Sequence, residues 1–197
     1  MIKIKEVHFL KSCGRLKEFP EYPYPEIAFF GRSNVGKSSL INMLMGRKDL
    51  VKTGSSPGVT KTINFFILNR CISIADLPGY GYAKLPRELK KTFMPLIRSY
   101  IAGRDNLRLA FLLIDIRRTP DRFEHELISL LSEKKIPIAV TLTKSDKLSR
   151  NKQAQGIKNI SGELGIAGGH FFISSAKTKT GKKELLRLIA EYTMPLS

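Results

Sequence analysis

The segment that most restricts what this chain can fold into runs Gly31-Arg32-Ser33-Asn34-Val35-Gly36-Lys37-Ser38, with an apolar run at 27–30 before it and a helix-forming run at 40–44 after it. Glycines spaced G-x-x-x-x-G, then Lys and a hydroxylated residue, suit a tight turn between strand and helix whose backbone N–H groups face inward. Inward amides, the positive end of a helix and a lysine together make a cradle for a phosphate chain. The Ser38 hydroxyl adds a ligand for Mg²⁺, which offsets the charge of clustered phosphate oxygens. An ordinary glycine-rich turn needs neither Lys37 nor Ser38, so the pattern implies binding of a nucleoside triphosphate.

At 197 residues and 42% hydrophobic content the chain is sized for one domain with a full core, needing no disulfide or metal support. Cys13 and Cys71 have no paired spacing, and Cys71 sits in a strand-like run, so both are expected as reduced, non-catalytic thiols in a cytoplasmic protein. Residues 1–7 alternate apolar and polar as a strand does and lack the apolar stretch of a signal peptide. No apolar run approaches the roughly 20 residues that cross a bilayer. Charge is the unusual quantity: 34 Lys and Arg stand against 17 Asp and Glu, a formal net of +17. One nucleotide does not account for that excess. Such a surface attracts polyanions through counterion release, and RNA is the commonest large one in a cytosol. No basic amphipathic segment points to a membrane.

Strand-like runs at 27–30, 63–68, 71–75, 108–114, 138–142 and 171–173 alternate with helical stretches after Gly36, Pro86, Pro120, Ser149 and Gly181. This alternation predicts an α/β fold of three layers, a largely parallel six-stranded sheet with helices on both faces. The runs at 63–68 and 71–75, joined by Asn69-Arg70, read as a hairpin that supplies one antiparallel edge strand, with an extra N-terminal strand as an option. Leu89, Phe93, Leu96, Ile97, Tyr100 and Ile101 form one helical stripe, which Pro95 is expected to bend or interrupt. Residues 11–25 read as a surface connection.

Four further segments complete a site. Asp76-Leu77-Pro78-Gly79 closes the strand at 71–75, so its carboxylate emerges at the carboxyl edge of the sheet, where open α/β sheets bind ligands. Asp76 is placed to hold Mg²⁺ through water, and the Gly79 N–H to meet a γ-phosphate. Thr143-Lys144-Ser145-Asp146 follows the strand at 138–142. A carboxylate accepts two hydrogen bonds, and guanine offers N1–H and N2–H₂ side by side where adenine does not. The Lys144 stem suits the face of the base, and Ser174-Ser175-Ala176 the guanine O6 through a backbone N–H. Between the first loop and Asp76 lies a polar stretch, Gly58-Val59-Thr60-Lys61-Thr62, in which Thr60 is positioned to complete the Mg²⁺ shell when a γ-phosphate is present. The metal set is thus Ser38, Thr60 and Asp76, and the nucleotide set extends through Ser39, Thr62, Leu77 and Pro78.

In order, these segments match the five sequence elements of translation-factor-class P-loop GTPases. The strings from Gly31 to Asn42, Thr62-Ile63-Asn64-Phe65-Phe66 and Asp76-Leu77-Pro78-Gly79-Tyr80-Gly81-Tyr82-Ala83 resemble the EngB (YsxC or YihA) family of bacterial ribosome-biogenesis GTPases over nearly the whole chain. The resemblance implies a Ras-like G domain over residues 1–197, with 1–25 as an extension packed on it. It also implies GTP and GDP binding, contact with large-subunit ribosomal particles through rRNA and protein, a role in assembling that subunit, and a link to normal cell division. A monomer is expected. Val59, Lys61 and Ser145 depart from the family pattern, which has Arg, Gln and Ala there.

Lys37, Gly79, Thr60 and Asn34 are the residues expected to act on the transferring phosphoryl group. Many relatives place a Gln after the Asp-x-x-Gly glycine to orient the attacking water, and here the position is Tyr80, so slow turnover is expected. In resembling GTPases an Asn at the position of Asn34 helps hold K⁺ beside the phosphates, which makes K⁺ a candidate cofactor. Two rival readings share parts of the pattern. A P-loop small-molecule kinase shares residues 31–38 but leaves 143–146 without a reason, and an RNA-binding module with incidental hydrolysis fits Tyr80 and the basic surface.

Overall fold

The computed structural model describes residues 2–51, 62–81, 87–166 and 171–194, without the side chains of 87–92. Strand β2 (Glu26–Gly31) is buried along its whole length, as a strand covered on both faces must be. It lies between β4 (Ile72–Asp76) and β5 (Leu107–Asp115), parallel to both, and β6 (Ile138–Thr143) and β7 (Phe171–Ile173) continue the parallel ladder. Strand β3 (Ile63–Leu68) runs antiparallel to β4. Beyond it β1 (Val7–Cys13) pairs antiparallel to β3, giving a seven-stranded sheet in the order β1-β3-β4-β2-β5-β6-β7.

Alternate residues of the strands feed two apolar layers. Ala110, Leu112 and Ile114 of β5 face the layer built with α2 (Arg87–Ala102), α3 (Arg122–Glu133) and α4 (Arg150–Leu164), while Leu109, Phe111 and Leu113 face that of α1 (Lys37–Met45) and α5 (Lys182–Thr193). The period-2 pattern of one strand therefore serves both helical layers.

Four local expectations need correction. The N-terminal strand starts at Val7, because residues 3–6 are held by one side chain: Asn69 Oδ1 accepts the Lys5 and Glu6 N–H groups at 2.8 and 3.2 Å, and Asn69 Nδ2 donates to the Lys3 carbonyl at 2.8 Å. Strand β3 is not an edge, since β1 covers it. Cys71 lies outside β4, exposed in the hairpin turn where Asn69 (φ 50°) and Arg70 (φ 57°) are left-handed, while Cys13 is buried. Pro95 does not interrupt α2; it sits on the exposed face, and Leu96, Ile97, Tyr100 and Ile101 stay in the core.

Glu26, fully buried at the start of β2, gathers the polar core. Its carboxylate accepts from Ser73 Oγ (2.7 Å), Tyr100 Oη (2.7 Å) and the Arg104 Nε and Nη2 atoms (2.8 and 2.6 Å), and Arg104 also reaches the Pro20 carbonyl and lies over the Phe65 ring. Burial, then the Glu26 charge, pushes the Tyr100 hydroxyl well above its usual range. Removing the carboxylate alone leaves a buried guanidinium without its counter-charge. Glu26→Ala is expected to cost about 3–5 kcal/mol, read as a lowered urea midpoint with an unchanged m-value.

Candidate functional site

The turn from β2 into α1 is shaped by contacts that only glycine permits. A Cβ on Gly31 would stand 2.8 Å from Val35 Cγ1 and 3.2 Å from the Leu113 carbonyl oxygen, and Gly36 adopts φ 105°, with Asn34 at φ 62° shortly before it. Helix α1 begins with no side-chain cap and no acidic residue in its first turn. Its uncapped positive end, the curled backbone and Lys37 together fit a polyphosphate. Lys37 Nζ donates to Asp76 Oδ1 in an ion pair that is largely buried, and Asn64 Nδ2 approaches the other carboxylate oxygen at 3.4 Å. Asn64 holds this place because it stands directly across the β3–β4 ladder from Asp76. Ser38 and Asp76 supply oxygen donors of the kind Mg²⁺ prefers.

The segment 77–80 lies against the phosphate loop. Ser33 N–H donates to the Tyr80 carbonyl (2.7 Å), Tyr80 N–H to the Gly31 carbonyl (3.3 Å) and Ser33 Oγ to the Gly79 carbonyl (3.2 Å). A Cβ on Gly79 would meet Ser33 Cα and Oγ at 3.0 Å. Gly58, Val59, Thr60 and Lys61 lie outside the described residues; Thr62 lies just before β3.

A second pair of segments meets at the carboxyl ends of β6 and β7. Ser174 N–H donates to the Leu142 carbonyl (2.8 Å) and Ser145 N–H to the Ser174 carbonyl (3.2 Å), which zips the two segments together. Ser175 Oγ donates to Asp146 Oδ1 at 2.7 Å, and this bond above all holds the exposed Asp146 carboxyl below its usual range. The Ser175 N–H is taken by the Thr180 carbonyl. The amides of Ser174 and Ser175 are thus committed within the protein.

Lys144 links the two halves. Held at φ 60°, it sends Nζ to the Asn34 carbonyl (2.6 Å) and to Asp115 Oδ2 (3.1 Å), while Thr143 Oγ1 donates to the Val35 carbonyl (2.7 Å). Its stem thus runs from the base segment to the phosphate loop. Sequence reasoning did not single out Asp115, which ends β5 with its carboxylate bridged by Arg117 Nε (2.8 Å) and Nη2 (2.7 Å). Burial resists its ionisation, but Arg117, the Arg117 N–H and Lys144 outweigh that and hold it at about 2.

A further cluster also escaped the sequence reading. Tyr80 is buried, stacks on Phe123 (5.4 Å, 22°) and donates its hydroxyl to Glu124 Oε1 at 2.8 Å. Glu124 Oε2 accepts the Asp121 N–H, Asp121 Oδ1 accepts the Phe123 N–H, and Asp121 Oδ2 accepts from Arg32 Nη1. The sequence signal was the Asp-x-x-Glu capping box at 121–124, which starts α3 and here also anchors the loop residue Arg32. Burial first, then Glu124, raises the Tyr80 hydroxyl well above its usual range, so it stays protonated.

The order of these segments along the chain, and their convergence on one sheet edge, define a P-loop GTPase. A family model described as 50S ribosome-binding GTPase matches residues 26–144. A probable GTP-binding protein EngB of Desulforapulum autotrophicum is 48% identical over 92% of this chain and 94% of its own length, and one of Caldanaerobacter subterraneus is 42% identical over 96% and 98%. A crystal structure of a probable EngB superposes with a TM-score of 0.72 at 29% identity, over 85% of this chain and 97% of that one. The chain belongs to the EngB family of GTP-binding proteins.

Asp115 gives a test of the site's electrostatics. Its folded value of about 2 lies below the ordinary 3.8, so its contribution is complete above the ordinary value and is lost as pH falls toward 2. After discounting for the partly exposed Arg117, Asp115→Asn is expected to cost about 1–2 kcal/mol near pH 7, and less than half of that near pH 2.5, in urea titrations at the two pH values.

Proposed function

We propose that this GTPase binds GTP and GDP with Mg²⁺, hydrolyses GTP slowly, and acts as a nucleotide switch in large ribosomal subunit assembly, on which normal cell division depends. In this reading it works in the cytoplasm as a monomer. Among the described residues no helix is long and apolar enough to cross a membrane. The observation that carries the reading is the pair Asp146–Ser175, one hydroxyl holding one carboxylate oxygen while the segments on either side are zipped by backbone hydrogen bonds. A carboxylate fixed and kept ionised in this way suits guanine N1–H and N2–H₂.

Ser38, Asp76 through water, and Thr60 would hold Mg²⁺, which when bound shields the phosphate charge and aligns the β- and γ-phosphates. Lys37 places its cation on the same oxygens, and the amides of Asn34 and of Gly36, Lys37 and Ser38, with that of Gly79, hold the phosphates in place. Lys144 lays its stem along the base. Slow turnover is supported by the side chain after Gly79: Tyr80 is buried, protonated and turned to Glu124, so it does not orient a water as Gln does elsewhere. Asn34, exposed on the loop, is the candidate to help hold K⁺ beside the phosphates. The name of the matching family model and the net charge of +17 support a ribosomal partner.

Three measurements test this function. Calorimetric titration with GTP, GDP, ATP and XTP is expected to show strong preference for the guanine nucleotides, Asp146→Asn to shift it toward XTP, and turnover to rise several-fold in K⁺ over Na⁺ at fixed Mg²⁺. Equal heats for GDP and ADP would refute the guanine assignment. Co-sedimentation with large-subunit particles is expected to depend on the bound nucleotide and to weaken steadily with salt.

A further inference from the structure

The pole of the sheet opposite the phosphate loop, where β5 and β6 begin, carries a cavity of about 370 Å³ whose polar lining is Arg104, Asp105, Arg108, Lys134, Lys135 and Tyr192. Arg104 is spent on Glu26, which leaves Arg108, Lys134 and Lys135, all exposed, as the working cations. Arg108 is steadied by the Asp105 carbonyl (3.1 Å) and Lys134 by the Ala102 carbonyl (3.2 Å). Lys135 stands at φ 55°, a backbone position that favours glycine or asparagine, in the turn that ends α3. Asp105 is the acid in the lining, and in the chain the exposed Glu133 precedes Lys134, Glu191 precedes Tyr192 and Glu21 precedes Tyr22.

One aromatic ring shares the cavity with these cations, and two more belong to a segment tied to the residues beside it. Tyr192 lines the cavity, and the segment 20–24 is fastened beside it by Arg104 on the Pro20 carbonyl and Asn106 Nδ2 on the Tyr24 carbonyl (2.7 Å). Tyr22 and Tyr24 are half-buried and stack at 5.8 Å and 10°. Cations set for phosphates beside half-exposed rings are the two parts of a single-strand nucleic-acid site, whereas an acidic peptide needs only the cations. Stacking on the rings requires unpaired bases.

We propose that this pole binds single-stranded RNA, with Arg108, Lys134 and Lys135 on the phosphates and Tyr22, Tyr24 and Tyr192 against bases. The proposal rests on the ribosomal reading above and names the surface through which rRNA is met. From Leu107 to Leu113, the residue level with Gly31, β5 separates the pole from the start of the phosphate loop by about 20 Å, so RNA and nucleotide occupy the protein together.

The test is fluorescence anisotropy of a labelled oligouridylate about 12 nucleotides long, titrated with the full GDP-loaded chain over a KCl series. Binding is expected to fall with salt. The triple variant R108Q/K134Q/K135N, whose asparagine suits the left-handed position, is expected to weaken it about tenfold and to flatten the log–log salt slope by about 2. Tyr22→Leu and Tyr192→Leu are each expected to weaken it about fivefold without changing the slope. GDP binding and the melting temperature report whether the variants are folded; if the triple variant melts early, the exposed single change Lys134→Glu takes its place. No binding of the oligouridylate, wild-type binding by the charge variants, or equal displacement by polyglutamate with indifferent tyrosine variants would overturn the proposal. Because the probe is a free oligoribonucleotide, that result is separate from a failure to co-sediment with ribosomal particles.

Discussion

Everything at the candidate nucleotide site depends on β2 being hydrogen-bonded on both sides to strands that run its own way. With β4 and β5 parallel to it, and β6 and β7 following, the ends of β2, β4, β6 and β7 reach one edge of the sheet. Chemistry-bearing residues from position 31 to position 176 are thereby brought into one small region without long-range loops. The cost is a first residue of β2 buried from every side. A carboxylate at that position stabilises the core only while Arg104, Tyr100 and Ser73 all point at it.

The phosphate loop is built under a different constraint. Gly31 faces Val35 and the β5 backbone too closely for any side chain, and Gly79 faces Ser33 in the same way. The two segments are thus in backbone contact before any ligand is considered, and a shift of one is felt by the other. Tyr80 adds to this. Where a flexible amide would point into solvent or toward a phosphate, a large ring is locked into the α3 cluster of Phe123 and Glu124. The residue after Gly79 therefore anchors its segment to α3.

Much of this was legible in the sequence. The glycine pattern at 31–38 carries its own geometry, and the strand runs at 63–68 and 171–173 match the observed bounds, because apolar periodicity is set by which faces are buried. What escaped was decided by contacts distant in the chain. The start of β1 depends on Asn69, more than sixty residues away, capturing the Lys3–Glu6 backbone. Helix α2 runs through Pro95 because Leu96, Ile97, Tyr100 and Ile101 keep its later turns in the core. Asp115 and Arg32 gained their roles from Lys144 and Asp121, partners no local pattern reveals.

The two rims of the sheet differ from its ends. On one side β1 carries an irregularity between Phe9 and Lys11 that breaks the even ladder, and on the other β7 has only three residues. Among the described residues neither margin offers a long flat row of free amides and carbonyls for another chain to extend. Lateral growth by strand addition is discouraged on both sides, which directs association toward the loops and helix ends at the two poles.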